Sequence, residues 1–108
     1  MPSSFKIDFD SLDWQSPLPG LRFKMYREGA KQIRLMEFRS DFVEPQWCER
    51  GHVGIVLEGT LEIDFHGRVI AFPPGAGIFI TGGASCGHKA RAATPVARIV
   101  LVEDAAPA

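Results

Sequence analysis

The side chains best suited to chemistry are gathered in two stretches of this chain. WCERGHVGIVLEGTLEIDFHG holds Cys48, His52 and His66, and PPGAGIFITGGASCGHKA holds Cys86 and His88. Together these are both cysteines and all three histidines of the protein. Thiolate and imidazole are good ligands for zinc, iron or copper. A catalytic metal site uses about three protein ligands and keeps a position open for water or substrate. Cys48, His52 and His88 could supply those three, with Cys86 or Glu49 as alternates, around a divalent transition metal such as zinc or iron. The plainer alternative is that the cysteines are small buried hydrophobes and the histidines are merely hydrogen-bonded.

Whether such groups meet depends on strand parity, because alternate side chains along a strand share a face. Read as one strand, residues 86–92 put Cys86, His88, Ala90 and Ala92 on one face and Lys89 and Arg91 on the other. The charged face belongs to water, so Cys86 and His88 are expected to point inward. His52 shares a face with Gly54 and Val56, and Gly54 is expected to leave room beside the imidazole. His66 shares parity with Glu62 and Asp64 and abuts Gly67, which places it on the surface. Trp47 and Gln46, beside Cys48, are candidates to line a pocket for a small ligand. Glu37 has an uncertain facing, with a solvated position expected. Ser85 near Cys86 and His88 has no carboxylate at an obvious orienting position and makes no convincing nucleophile. Gly75, Gly77 and Gly82 do not make a dinucleotide fingerprint.

The elements that must position these groups read as short strands. Leu21, Phe23 and Met25 alternate with Arg22, Lys24 and Tyr26, the period of a half-buried strand. Residues 31–39 contain Lys, Gln, Arg, Leu, Met and Glu, which also favour helix, but their neighbours are strands and a strand is expected. His52–Glu58 ends at Gly59. Leu61, Ile63 and Phe65 alternate with Glu62, Asp64 and His66, Gly67 turns, and Arg68–Phe72 returns as a hairpin. Strands are expected over Gly77–Thr81, Cys86–Ala92 and Val96–Val102. Eight or so short strands with frequent turns indicate an all-β sandwich or jelly roll.

A length of 108 residues fits one domain, and 45% hydrophobic content with eight Phe and two Trp is enough for a core without staples. The basic run from Arg22 to Arg39 is interrupted by Glu28 and Glu37 and reads as the solvated face of strands. With a formal charge of -1, nothing favours nucleic acid or a membrane surface as partner. The first ten residues carry acids and no apolar stretch, unlike a signal peptide. Residues 69–88 lack formal charge, but two prolines and five glycines argue against a membrane helix. A cytoplasmic location with free thiols is expected, as is a frayed tail.

The runs GHVGIVLEGTLEIDFHG and PPGAGIFITGG resemble the cupin superfamily, in particular small single-domain cupins, over about residues 40–102. The resemblance implies a double-stranded β-helix, a jelly-roll barrel, as a single domain over 1–108, with its barrel near 20–103 and an N-terminal arm over 1–19. It also implies a homodimer. Laid on the first cupin motif, Ser40 stands at the opening glycine, Gln46 and Cys48 at the two histidines, His52 at the glutamate and Gly59 at the closing glycine. The second motif opens at Gly75, places its proline on Thr81, its glycine on Gly83, its histidine on Cys86 and its asparagine on Ala90. The turn glycines Gly59, Gly75 and Gly83 match, whereas every ligand position carries another residue type. Gln46, Cys48, His52 and Cys86 nevertheless all bear coordinating atoms, and His88, two residues beyond Cys86, could replace it. The resemblance thus leads to a metal-dependent enzyme acting on a small organic molecule, to a non-catalytic binding or sensing module without metal, or to a purely structural role.

Overall fold

The computed structural model describes residues 5–105. Residues 1–4, and the end of the tail expected to fray, lie outside the described residues. Among the described residues, nine strands are found: β1 (Gln15–Leu18), β2 (Leu21–Glu28), β3 (Lys31–Arg39), β4 (His52–Glu58), β5 (Leu61–Phe65), β6 (Arg68–Phe72), β7 (Gly77–Ile80), β8 (Lys89–Ala92) and β9 (Val96–Asp104). They form a six-stranded sheet in the order β1-β2-β3-β9-β4-β7 and a three-stranded sheet in the order β6-β5-β8, with every pairing antiparallel. The two sheets enclose the core as a jelly roll. No helix among the described residues is long and apolar enough to cross a membrane.

The helix-favouring run 31–39 is a strand because both of its edges are used. Each residue of β3 has a partner on β9, and Lys31 to Phe38 also pair with β2. Two ladders of backbone hydrogen bonds outweigh an intrinsic preference of tenths of a kcal/mol per residue. The expected strand over 86–92 is cut short. Ala84–Cys86 forms a 3-10 turn and β8 starts at Lys89. β1 was not anticipated, since Ser16 and Pro17 carry no alternation and its four residues are all exposed.

Inward-facing side chains follow the expected parity over most of the sheet. Met36 and Phe38 of β3, Val56 of β4, Leu61 and Ile63 of β5, and Ala97, Ile99 and Leu101 of β9 belong to one buried cluster. Full burial of a side chain such as Leu61 or Ile99 contributes about 1.5–3 kcal/mol. The basic face of β2 departs from the solvated expectation. Lys24 is buried, donates from Nζ to the Phe9 carbonyl at 2.8 Å, and lies 5.0 Å from the Trp14 ring centre. Arg22 packs over the same ring at 4.0 Å. The N-terminal segment therefore roofs that part of the sheet. Farther along the same outer surface, Val53, Phe79 and Val102 sit side by side on β4, β7 and β9 and remain exposed.

Gly54 does not serve the purpose expected of it. A Cβ at this position would run into the Val100 carbonyl oxygen of β9. The glycine permits close approach of two strands and creates no space beside His52.

Candidate metal centre

Cys48 precedes β4 by one turn of loop, and His88 immediately precedes β8. An isolated antiparallel bridge joins them. The Cys48 N–H donates to the His88 carbonyl at 2.8 Å, and the His88 N–H returns to the Cys48 carbonyl at 2.9 Å. Directly opposed residues on such a bridge hold their side chains together. His52 opens β4 with its imidazole inward, paired with Ile80 of β7. The result is a cluster in which one ligand atom each from Cys48, His52 and His88 lies within 4.8 Å of the others.

Both imidazoles are oriented by their Nδ1 atoms. His52 Nδ1 is 2.7 Å from Oε2 of Glu103, and His88 Nδ1 is 2.8 Å from the Cys86 carbonyl oxygen. Acceptors at these positions place the proton on Nδ1 and leave Nε2 as the free lone pair in the neutral ring. His52 Nε2 lies 3.6 Å from Cys48 Sγ. Zinc bonds of ~2.3 Å to sulfur and ~2.05 Å to nitrogen at a tetrahedral angle separate the two ligand atoms by about 3.5 Å. The donor set, its spacing and the fixed ring orientations therefore fit a transition metal, and the pairing of a ligating histidine with a carboxylate is the usual support of such a site.

The charges favour a thiolate. Hydrogen bonding to His52, and then to His88, lowers the Cys48 pKa to about 5 against the opposing effect of burial. Burial disfavours the charged form of His52, but Cys48 and Glu103 outweigh it and raise the pKa of the ring. His88 is likewise disfavoured by burial and raised by Cys48 and by the Cys86 carbonyl. Burial also opposes ionisation of Glu103, yet His52 and Arg34 overcome it and hold the carboxyl at about 2. Glu103 accepts from Gln32 at 2.7 Å and forms an ion pair with Arg34 at 2.5 Å.

Other sequence candidates are placed as follows. Cys86 is not in the cluster: its Sγ lies 3.6 Å from Thr81 Oγ1 and 3.9 Å from Ser85 Oγ, in the 3-10 turn. Leaving the strand breaks the parity that would have kept it beside His88. Gln46 and Trp47 line the cavity that contains the cluster, which measures about 380 Å³. Trp47 is 40% exposed, stacks on His66 at 3.9 Å between ring centres, and has Lys89 Nζ 4.8 Å from its own ring centre. His66 is exposed, as expected, in the turn beside Gly67. Glu49 is exposed, and its backbone carbonyl accepts from the Gly83 N–H. Glu37 is not solvated. It is buried on the outer side of the sheet between Arg22 and Arg98. Glu103 was missed because it follows Val102 at the edge of an apolar run. Its parity with Ala97, Ile99 and Leu101 was the signal that could have placed it inside.

No family model and no curated protein sequence matches the chain. Solved structures do. KdgF from Halomonas sp. has 21% identity and a TM-score of 0.77, covering 98% of this chain and 96% of that one. A cupin-2 domain containing protein from Shewanella frigidimarina NCIMB 400 has 26% identity and a TM-score of 0.62, over 77% and 79%. The FeII form of HppE has 14% identity and a TM-score of 0.75, over 95% and 62%. This chain has the fold of a small cupin domain. Within that cupin barrel, Cys48 and His52 come from the first motif region, and His88 rather than Cys86 lies beside them.

Proposed function

We propose that this cupin binds one divalent transition metal through Cys48, His52 and His88 and acts on a small organic molecule held in the adjoining cavity. The observation that carries the reading is the convergence of one cysteine sulfur and two imidazoles, each imidazole locked by a separate acceptor on Nδ1. A bound ion would act there as a Lewis acid or activate a bound species. The chain's own residues do the rest. Glu103 keeps His52 in one tautomer, the Cys48–His88 bridge fixes the thiolate, and Gln46 and Trp47 stand at the cavity wall where a ligand would pass. The cavity volume is in the range of small-molecule sites.

Support for a transition metal comes also from HppE, whose similar fold is described in an FeII form. The softer thiolate here favours zinc or iron over magnesium or calcium. A second reading, a binding or sensing cupin without metal, draws on the apolar walls of the cavity. Leu61, Ile63, Ile78, Ile99 and Leu101 all face it, and such a surface holds an apolar ligand unaided.

Elemental analysis of untagged protein separates the two. A near-stoichiometric metal that disappears in the Cys48→Ala, His52→Ala, His88→Ala triple variant, with the β-sheet circular dichroism unchanged, supports the first reading. Metal-free wild-type protein that also fails to take up added zinc or ferrous iron removes it and leaves the binding module.

A further inference from the structure

The segment between β3 and β4 brings a glutamate to the cavity. Glu44 lines it together with Cys48, His52 and His88. Its Oε2 is buried and has no hydrogen-bond partner. Burial pushes the carboxyl above its ordinary pKa, with the Ala90 backbone N–H acting in the opposite direction. An acceptor left unpaired away from water costs about 1–3 kcal/mol, more when charged. Buried polar atoms almost always find partners within the protein or its solvent. An orphaned oxygen on a cavity wall is therefore the place where a ligand's donor fits.

The neighbouring cations do not fill that role. Arg34 is turned to Glu103, and Arg50 Nη1 is also within 3.8 Å of that carboxylate while Nη2 donates to the Asp104 carbonyl. Both arginines also line the cavity, but their guanidinium groups are already engaged with Glu103 and the Asp104 carbonyl, so an anionic ligand would meet Glu44 without a free counter-charge. The remaining surface is largely hydrocarbon, supplied by residues such as Met36, Phe38, Ile63 and Leu101.

We propose that Glu44 is a ligand-binding residue whose Oε2 accepts a hydrogen bond from a hydroxyl group on a small, uncharged ligand with an apolar body. This names the ligand class for the cavity; it rests on the small-molecule reading and is independent of whether a metal is bound. The hydroxyl selects the ligand through Glu44, and the apolar body replaces water along the barrel wall. An analogue lacking the hydroxyl leaves the acceptor orphaned, and a carboxylate adds like-charge repulsion.

The test uses phenol, toluene and benzoate as probes, with binding followed by protein-observed NMR titration on metal-free and on zinc-loaded protein. The preference for phenol over toluene is expected to fall about tenfold or more from wild type to Glu44→Leu. Glu44→Gln, which keeps a carbonyl acceptor and serves if the leucine variant folds poorly, is expected to retain most of the preference. Glu44→Leu is also expected to melt at a higher temperature, because it removes a buried unpaired oxygen. A phenol preference unchanged in Glu44→Leu, benzoate binding more tightly than phenol, or a lower melting temperature in that variant would each overturn the proposal. Equal binding of phenol and toluene to the wild type overturns it while leaving the cavity a small-molecule site. Binding of none of the three overturns both. Elemental analysis of the same samples reports on the metal separately.

Discussion

The β3–β9 ladder carries a buried glutamate near each end, and the two do opposite things. Glu37 of β3 pairs across the ladder with Arg98, and Glu103 of β9 pairs with Gln32. Both carboxyls are held below their ordinary pKa, Glu37 chiefly by Arg22 and Glu103 by His52 and Arg34 against its burial. Glu37 points to the outer side of the sheet, where Arg22 at 2.8 Å and Arg98 at 3.0 Å roof it. Glu103 points into the barrel, where one oxygen orients an imidazole of the candidate metal centre. A single step of strand parity thus separates a carboxylate that clamps strands from one that prepares a ligand. Burial and a depressed pKa do not by themselves mark a functional group; what the carboxylate faces does.

The comparison breaks most visibly through substitution. Glu103→Ala is expected to destabilise the fold by about 3–5 kcal/mol, because it leaves Arg34 without its partner in a largely buried position. It is also expected to weaken metal binding about 10–100-fold through the loss of His52 orientation. Urea denaturation and competition with a chelator measure the two effects. Stability and metal affinity both unchanged would show that Glu103 orients nothing.

Glu37→Ala is expected to cost less, about 1–3 kcal/mol, since both of its arginines are part-exposed and can turn to water. Its metal content and affinity are expected to match wild type. Loss of metal from a folded Glu37→Ala protein would erase the distinction between the two ends.

Acid sharpens the same contrast. A carboxylate whose folded pKa is depressed contributes stability above its unfolded pKa and loses it as pH falls through the folded value. For Glu103 the window runs from about 4.5 down to about 2. Metal-free wild type is therefore expected to lose stability progressively on acidification through this range, and Glu103→Gln is expected to show a shallower loss. Urea midpoints across the range measure it, and parallel curves for the two proteins would contradict the assigned interaction. The Cys48 thiolate, with its pKa at about 5, is expected to titrate in the metal-free protein at that pH by ultraviolet absorbance, in a Cys86→Ser background. A midpoint near the ordinary thiol value would deny the imidazole contacts.

The smallest effect is expected at the second cysteine. Cys86→Ser removes a thiol whose polar partners are the Thr81 and Ser85 hydroxyls and the Gly82 backbone, none of them in the donor cluster. Stability is expected to shift by about 0.5 kcal/mol or less, with metal content unchanged by elemental analysis. Depletion of metal in this variant would return Cys86 to the ligand set.

Much of this was readable before any fold was known. The alternation in Leu21–Tyr26 and Leu61–His66, the turn at Gly67 and the apolar run of β4 specify strands through local side-chain period, and β4 and β6 have the bounds expected of them. The inward facing of His52 followed from the same period. Cys86 packs against the core but falls outside the donor cluster, because a 3-10 turn interrupts the strand on which its place beside His88 depended. Glu44 gave no signal because it sits in a loop, where no period relates one side chain to the next.

By its order of residues alone, the chain determined an all-β barrel and the types of donor atom available to it, since both depend on short-range pattern and composition. Only the tertiary structure decided that Cys48 meets His88 across an isolated bridge, that Glu103 rather than Glu37 reaches a histidine, and that Glu44 is left with an unpaired oxygen. Each of those outcomes depends on strand register and on backbone contacts between residues far apart in sequence, which the local pattern does not encode.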